Sequence, residues 1–126
     1  MKVVVDSSII IDYLRGGIKW EKFIASAGEE VELFLPTMAI FELFSGKSTK
    51  NPRKLRDMFN FISQFRRMDL DDKIAKRAGE IYRDMSVTLQ VPDYIIAASA
   101  LEINGMVVTL NKKHFEQIPN LILYPL

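Results

Sequence analysis

This 126-residue chain has no cysteine, which removes disulfides, thiolate metal sites and cysteine nucleophiles and fits a reducing interior. An excess of charge of either sign is missing too. The 17 Lys and Arg against 16 Asp and Glu leave a formal net charge of +1. The molecule as a whole is therefore no polyanion magnet, and any affinity for nucleic acid must come from a local patch. Long apolar runs are also absent. The N-terminal run, Val3 to Val5, is cut by Asp6 and is far too short for a signal peptide. No stretch approaches the roughly 18 apolar residues of a membrane span. There is no repeat, no low-complexity tract and no linker. One domain over residues 1–126 is expected, in a soluble, cytoplasmic protein with no membrane partner.

What is present suffices for a core. The chain is 48% hydrophobic and 26% charged, and a domain of this size buries roughly two thirds of its unfolded surface. Residues 2–5 read as a short buried strand. Ile9, Ile10, Tyr13 and Leu14 then recur at helical spacing until Gly16-Gly17. A second helix is expected over 19–27 and a strand over 31–35, broken by Pro36. Thr37 is placed to cap a helix carrying Ile40, Phe41 and Phe44. After a polar loop at 47–52, Leu55, Met58, Phe59, Ile62 and Phe65 mark one stripe of a helix over 52–65, which leaves Phe61 off the stripe and the best candidate for exposure. A short strand at 68–70, a helix over 72–85 with Ile81 and Tyr82 inward, and an apolar helix over 91–103 follow. Strands at 106–110 and 121–124 flank a helical turn at 114–117. Strands separated by helices imply a parallel sheet covered on both faces. In such sheets ligands bind at the carboxyl ends of the strands.

Three acids stand in otherwise apolar surroundings. Asp6 ends the first strand, where a helix cap is the alternative role. Glu42 lies within TMAIFELFSG, and otherwise marks a narrow exposed stripe. Asp93 sits in the first turn of VPDYIIAASALEING, where it would also complement the helix dipole. Clustered carboxylates without a counterion repel one another and resist desolvation. Together they suit a hard divalent cation, Mg²⁺ or Mn²⁺. The chemistry that follows is metal-assisted attack of water on a phosphodiester.

Three segments carry a resemblance. VVVDSSIIIDYL resembles the opening strand, acid and hydroxyl-bearing turn of the PIN-domain proteins, and most closely of their VapC toxin ribonucleases. LPTMAIFELFSG resembles their second acidic helix. VPDYIIAASALEINGMVVTLNKKHF resembles their acid, Ile-Ala-Ala helix, glycine turn and Thr-x-Asn strand end. The likeness covers essentially the whole chain. It implies a three-layer α/β/α sandwich with a mostly parallel sheet. It further implies an Mg²⁺- or Mn²⁺-dependent endoribonuclease that cleaves RNA, a homodimer and a cognate antitoxin. By this comparison Asp6, Glu42 and Asp93 are the carboxylate triad, and Ser8, Thr109 and Asn111 line the site. One departure stands out. His114 occupies a position where the family commonly has a fourth acid. It is read as an idle surface residue, as a metal ligand or proton carrier, or as the mark of a weakened nuclease.

KSTKNPRKLR carries Lys47, Lys50, Arg53, Lys54 and Arg56 with no acid among them, and Arg66-Arg67 follow. These suit RNA phosphates, or else form a solvated helix face. Three other functions stay open: a phosphoacceptor or phosphatase, a fold-retaining binding module that cleaves nothing, and a solitary RNA-processing nuclease. The serines of DSS, where a second aspartate would serve a phosphoacceptor, count against the first.

Overall fold

The computed structural model describes residues 1–126. In chain order the elements are β1 (Lys2–Val5), α1 (Ser7–Leu14), α2 (Lys19–Ala27), β2 (Glu32–Pro36) and α3 (Thr37–Ser45). A 3₁₀ turn (Lys47–Lys50), α4 (Pro52–Ile62), β3 (Arg66–Met68), α5 (Asp72–Asp84) and α6 (Val91–Glu102) follow. The chain closes with β4 (Met106–Val108), α7 (Lys112–Phe115) and β5 (Ile122–Leu123). The five strands form one sheet in the order β3-β2-β1-β4-β5. Every pairing is parallel, with Val4 opposite Phe34 on one side and Val107 on the other.

Strand alternation sorts the core into two layers. Val3, Val5, Leu35 and Val108 face α1, α2, α3 and α4, where Ile9, Phe23 and Ile62 meet them. Val4 and Val107 point the other way, onto Ile96, Ala97 and Ala100 of α6 and Phe115 of α7. α5 packs outside α6 through Ile74, Ala78, Tyr94 and Ala98. With both faces covered, the strands are continuous apolar runs rather than alternating ones. α6 is sandwiched between sheet and α5, and every residue from Asp93 to Ala100 is buried. Pro92 fits its first turn, where no intrahelical donor is lost. At its far end Asn104 takes a left-handed φ of 54°, and Gly105 passes so close to Lys2 that a Cβ would lie 3.0 Å from its carbonyl oxygen. That close passage lays β4 beside β1.

Several expectations are corrected. Pro36 does not break β2 but ends it, paired with Met68. Thr37 is the first residue of α3 and does not cap it. β3 lies at Arg66–Met68, two residues before the expected strand. Tyr82 is 56% exposed rather than inward. Phe61 is buried, whereas Phe59 is 52% exposed. Phe61 stacks on Tyr13 with centroids 4.1 Å apart and meets Trp20 edge-on at 5.1 Å, so the aromatic rings of α1 and α2 select which side of α4 faces in. No helix is long and apolar enough to cross a membrane.

Candidate active site

In this sheet the chain works outward from β1 to β2 and β3 on one side, and to β4 and β5 on the other. The connections reverse between β1 and β4, and the crevice at the carboxyl ends of those two strands is where open α/β sheets bind ligands. Asp6 follows β1 at that point, and Thr109 follows β4.

Asp6 is 3% exposed, and its side chain is held rather than capping. Although it occupies the cap position of α1, it makes no cap hydrogen bond. Instead Ser8 Oγ and Thr109 Oγ1 each donate to Asp6 Oδ2 at 2.7 Å. The hydroxyls are themselves anchored, because Leu110 N–H donates to Ser8 Oγ at 3.0 Å and Asn111 N–H donates to Thr109 Oγ1 at 2.9 Å. With both hydroxyl protons on Asp6, the 3.4 Å approach of Ser8 to Thr109 has none left to share. The other carboxylate oxygen of Asp6 receives no donor and stays free for a ligand. Ser8 and Thr109 thus act on the site through Asp6. Asn111 is exposed, and its part is played by its backbone, whose carbonyl also starts α7.

Asp93 and Glu42 are less well provided for. Asp93 is 8% exposed, and its Oδ2 has no hydrogen-bond partner. Its carboxyl is pushed above the usual range, chiefly by burial and next by the charge of Asp6, with His114 and the Gln90 backbone pulling the other way. His114 Nδ1 lies 3.5 Å from Asp93 Oδ2, beyond hydrogen-bonding distance, and its ring is half exposed. Glu42, on α3, is half buried and accepts a 3.2 Å hydrogen bond from Ser7 Oγ. Its pKa is pushed from 4.5 up to about 7, first by burial and then by Asp6, while Ser7 lowers it and Asp93 raises it further. The three acids therefore lie within one another's fields. No three acidic or imidazole side chains close into a ready-made cage. A buried carboxylate oxygen without a donor, beside two further acids, nevertheless fits a divalent cation that keeps several waters.

The basic residues split. Lys47 and Lys50 lie on the 3₁₀ turn and Arg53, Lys54 and Arg56 on α4, all exposed. Only Lys54 joins Glu42 in lining a groove of about 400 Å³, whose wall also includes Arg15, Ser48 and Thr49. Arg67 is structural, donating to the carbonyls of Ile62 and Phe65, and Arg66 pairs with Glu32. Two residues escaped the sequence reading. Ser7 follows Asp6 directly, and nothing local says that its hydroxyl reaches α3. Arg15 lies beyond the apolar helix that brings it to the groove.

Comparison with known proteins gives a consistent result. The PIN domain family model matches residues 3–121. Ribonuclease VapC10 of Mycobacterium tuberculosis is 30% identical over 122 residues, covering 94% of this chain and 90% of that protein. The fold is similar to VapBC2 from Rickettsia felis, solved bound to a promoter DNA fragment, at a TM-score of 0.87 and 23% identity over 98% of both chains. It is also similar to a toxin–antitoxin complex from Klebsiella pneumoniae, with a TM-score of 0.78 and 21% identity over 98% of this chain and 99% of that one.

Proposed function

Because the chain belongs to the PIN-domain family, among the VapC-type ribonucleases, we propose that it is the endoribonuclease toxin of a type II toxin–antitoxin pair. Its cofactor in this reading is Mg²⁺ or Mn²⁺. The observation that carries the reading is that Asp6 and Asp93 lie within each other's field, one with a free oxygen and the other with a buried, unpartnered one.

A divalent cation held there would stabilise charge on a phosphodiester and make water a better nucleophile. The chain's own residues do the rest. Asp6 and Asp93 would hold the cation, and Ser8 and Thr109 fix the Asp6 carboxylate so that it need not reorganise. Glu42, beside Asp6 and Asp93 and with Ser7 on Oε1, is suited to take a proton from water at Oε2. Lys54 and Arg15, beside Glu42 in the groove, are suited to RNA phosphates, with Lys47, Lys50, Arg53 and Arg56 extending the positive surface along α4. The cognate antitoxin and a second copy of the chain are the protein partners in this reading. Exposed Phe41, Phe44 and Phe59 offer apolar surface for such contacts.

The test is RNA cleavage with added Mn²⁺ or Mg²⁺. Asp6→Asn and Asp93→Asn are each expected to lower the rate at least about a hundredfold while circular dichroism stays native. Undiminished cleavage by either variant, or cleavage in excess chelator, would rule the metal mechanism out.

A further inference from the structure

We propose that His114 is a metal ligand sharing one cation with Asp93, so that this site carries a nitrogen donor and prefers Mn²⁺ to Mg²⁺. The proposal rests on the reading of the site as a divalent-metal centre and goes beyond it by naming a fourth ligand and the metal it selects.

The starting observation is a gap. Asp93 is 92% buried, yet its Oδ2 has no donor, an uncompensated cost for a carboxylate oxygen. His114 faces that oxygen, with its Nδ1 3.5 Å away. An imidazolium hydrogen-bonded to a carboxylate closes to about 2.7–2.9 Å, so at 3.5 Å the two groups are in ion-pair range without a closed hydrogen bond. Where the lone pair of Nδ1 is turned toward the oxygen, two acceptors face each other, an arrangement that a cation between them makes favourable.

The spacing is close to that of two ligands of one ion. With bonds of about 2.1 Å at the right angles of an octahedral ion, ligand atoms are about 3.0 Å apart. The observed 3.5 Å leaves about half an ångström to close, within the reach of a half-exposed ring. The other requirements of a ligand are met. The ring is 52% exposed, so solvent can deliver the ion, and its Nδ1 faces Asp93 Oδ2 without a closed hydrogen bond. α7 is tied to the end of β4, since His114 N–H and Phe115 N–H both donate to the carbonyl of Asn111 and Phe115 is fully buried. The imidazole is therefore carried on a fixed base. Imidazole suits Mn²⁺ and later transition ions, whereas Mg²⁺ strongly favours oxygen donors.

Pulsed electron paramagnetic resonance on untagged, chelator-stripped protein loaded with Mn²⁺ is the direct test. The chain contains a single histidine, so an imidazole ¹⁴N coupling to Mn²⁺ has only one source. The expected result is a ¹⁴N coupling in the wild type that vanishes in His114→Ala and His114→Asp. Mn²⁺ affinity should fall about tenfold in His114→Ala. In His114→Asp the ratio of Mn²⁺ to Mg²⁺ affinity should fall about tenfold, because an oxygen replaces the nitrogen. Mn²⁺ binding without ¹⁴N coupling overturns the proposal and leaves the metal-dependent reading standing. An unchanged affinity ratio in His114→Asp overturns it equally. Failure of the wild type to bind Mn²⁺, with RNA still cleaved in chelator, overturns both.

Discussion

Asp6 and Asp93 lie within each other's electrostatic field, but one is wrapped and the other is not. Around Asp6, two hydroxyls donate to one oxygen and are themselves anchored by backbone amides of the segment after β4. Asp93 opens a helix of buried, mostly apolar residues, and its Oδ2 is left without a donor, the nearby His114 Nδ1 standing 3.5 Å away. The first carboxylate is organised before any ligand arrives. The second has only an incoming charge to complete it. The contrast teaches that a site can keep its geometry on one side and its binding energy on the other. Desolvation left uncompensated in the free protein is recovered when a cation binds.

The sharpest way to break this contrast is to neutralise each acid in the metal-free protein and measure stability by urea denaturation at pH 8. Asp6→Asn is expected to cost about 1–3 kcal/mol, because charge-assisted hydrogen bonds are weakened. Asp93→Asn is expected to be neutral or stabilising, because a buried, unpaired charge is removed. Equal losses in both would show that Asp93 is as well satisfied as Asp6.

The pH dependence is a smaller effect of the same kind. Glu42 has a folded-state pKa raised from 4.5 to about 7, so the native state binds its proton more readily than the unfolded chain. Its contribution to stability is fully present below pH 4.5 and lost as pH rises through 7. The metal-free protein should therefore lose a few degrees of Tm between pH 5 and 8. Glu42→Gln should flatten that decline, and saturating Mn²⁺ should reverse it. A Tm indifferent to pH in the metal-free wild type would contradict the burial of this carboxyl.

The smallest expected effect tests Ser7. Ser7→Ala removes the hydroxyl that holds Glu42 Oε1 and should cost about 1 kcal/mol and a few-fold in kcat with KM unchanged. Ser7→Thr should restore both. A shift in KM alone would place Ser7 in RNA binding rather than behind Glu42.

Much of this was legible in the sequence because it is local. Lys2–Val5 and Lys19–Ala27 are strand and helix as their periodicity says, and the three acids stand out as charge within apolar segments. What escaped was decided by distant partners. Met58 and Ile62 of α4, with Phe65 just beyond its end, belong equally to a stripe through Phe59 and to one through Phe61. Both have helical spacing, and only Trp20 and Tyr13 distinguish them. β3 was misplaced because its register comes from β2, which pairs Phe34 with Arg66, and two exposed arginines do not look like a strand. At the site, residue types announced the acids, but the unpartnered oxygen of Asp93 and the reach of Ser7 to Glu42 exist only once the helices are packed.

The outermost strands of the sheet are short. β3 has three residues and carries the exposed side chains of Arg66 and Arg67, and β5 has two. So brief and partly charged a margin gives a foreign segment little backbone to zip onto, and it guards against fibre-like stacking. Any protein that clasps this one for long must therefore read side chains on the helical flanks, where a few substitutions can change its choice of companion.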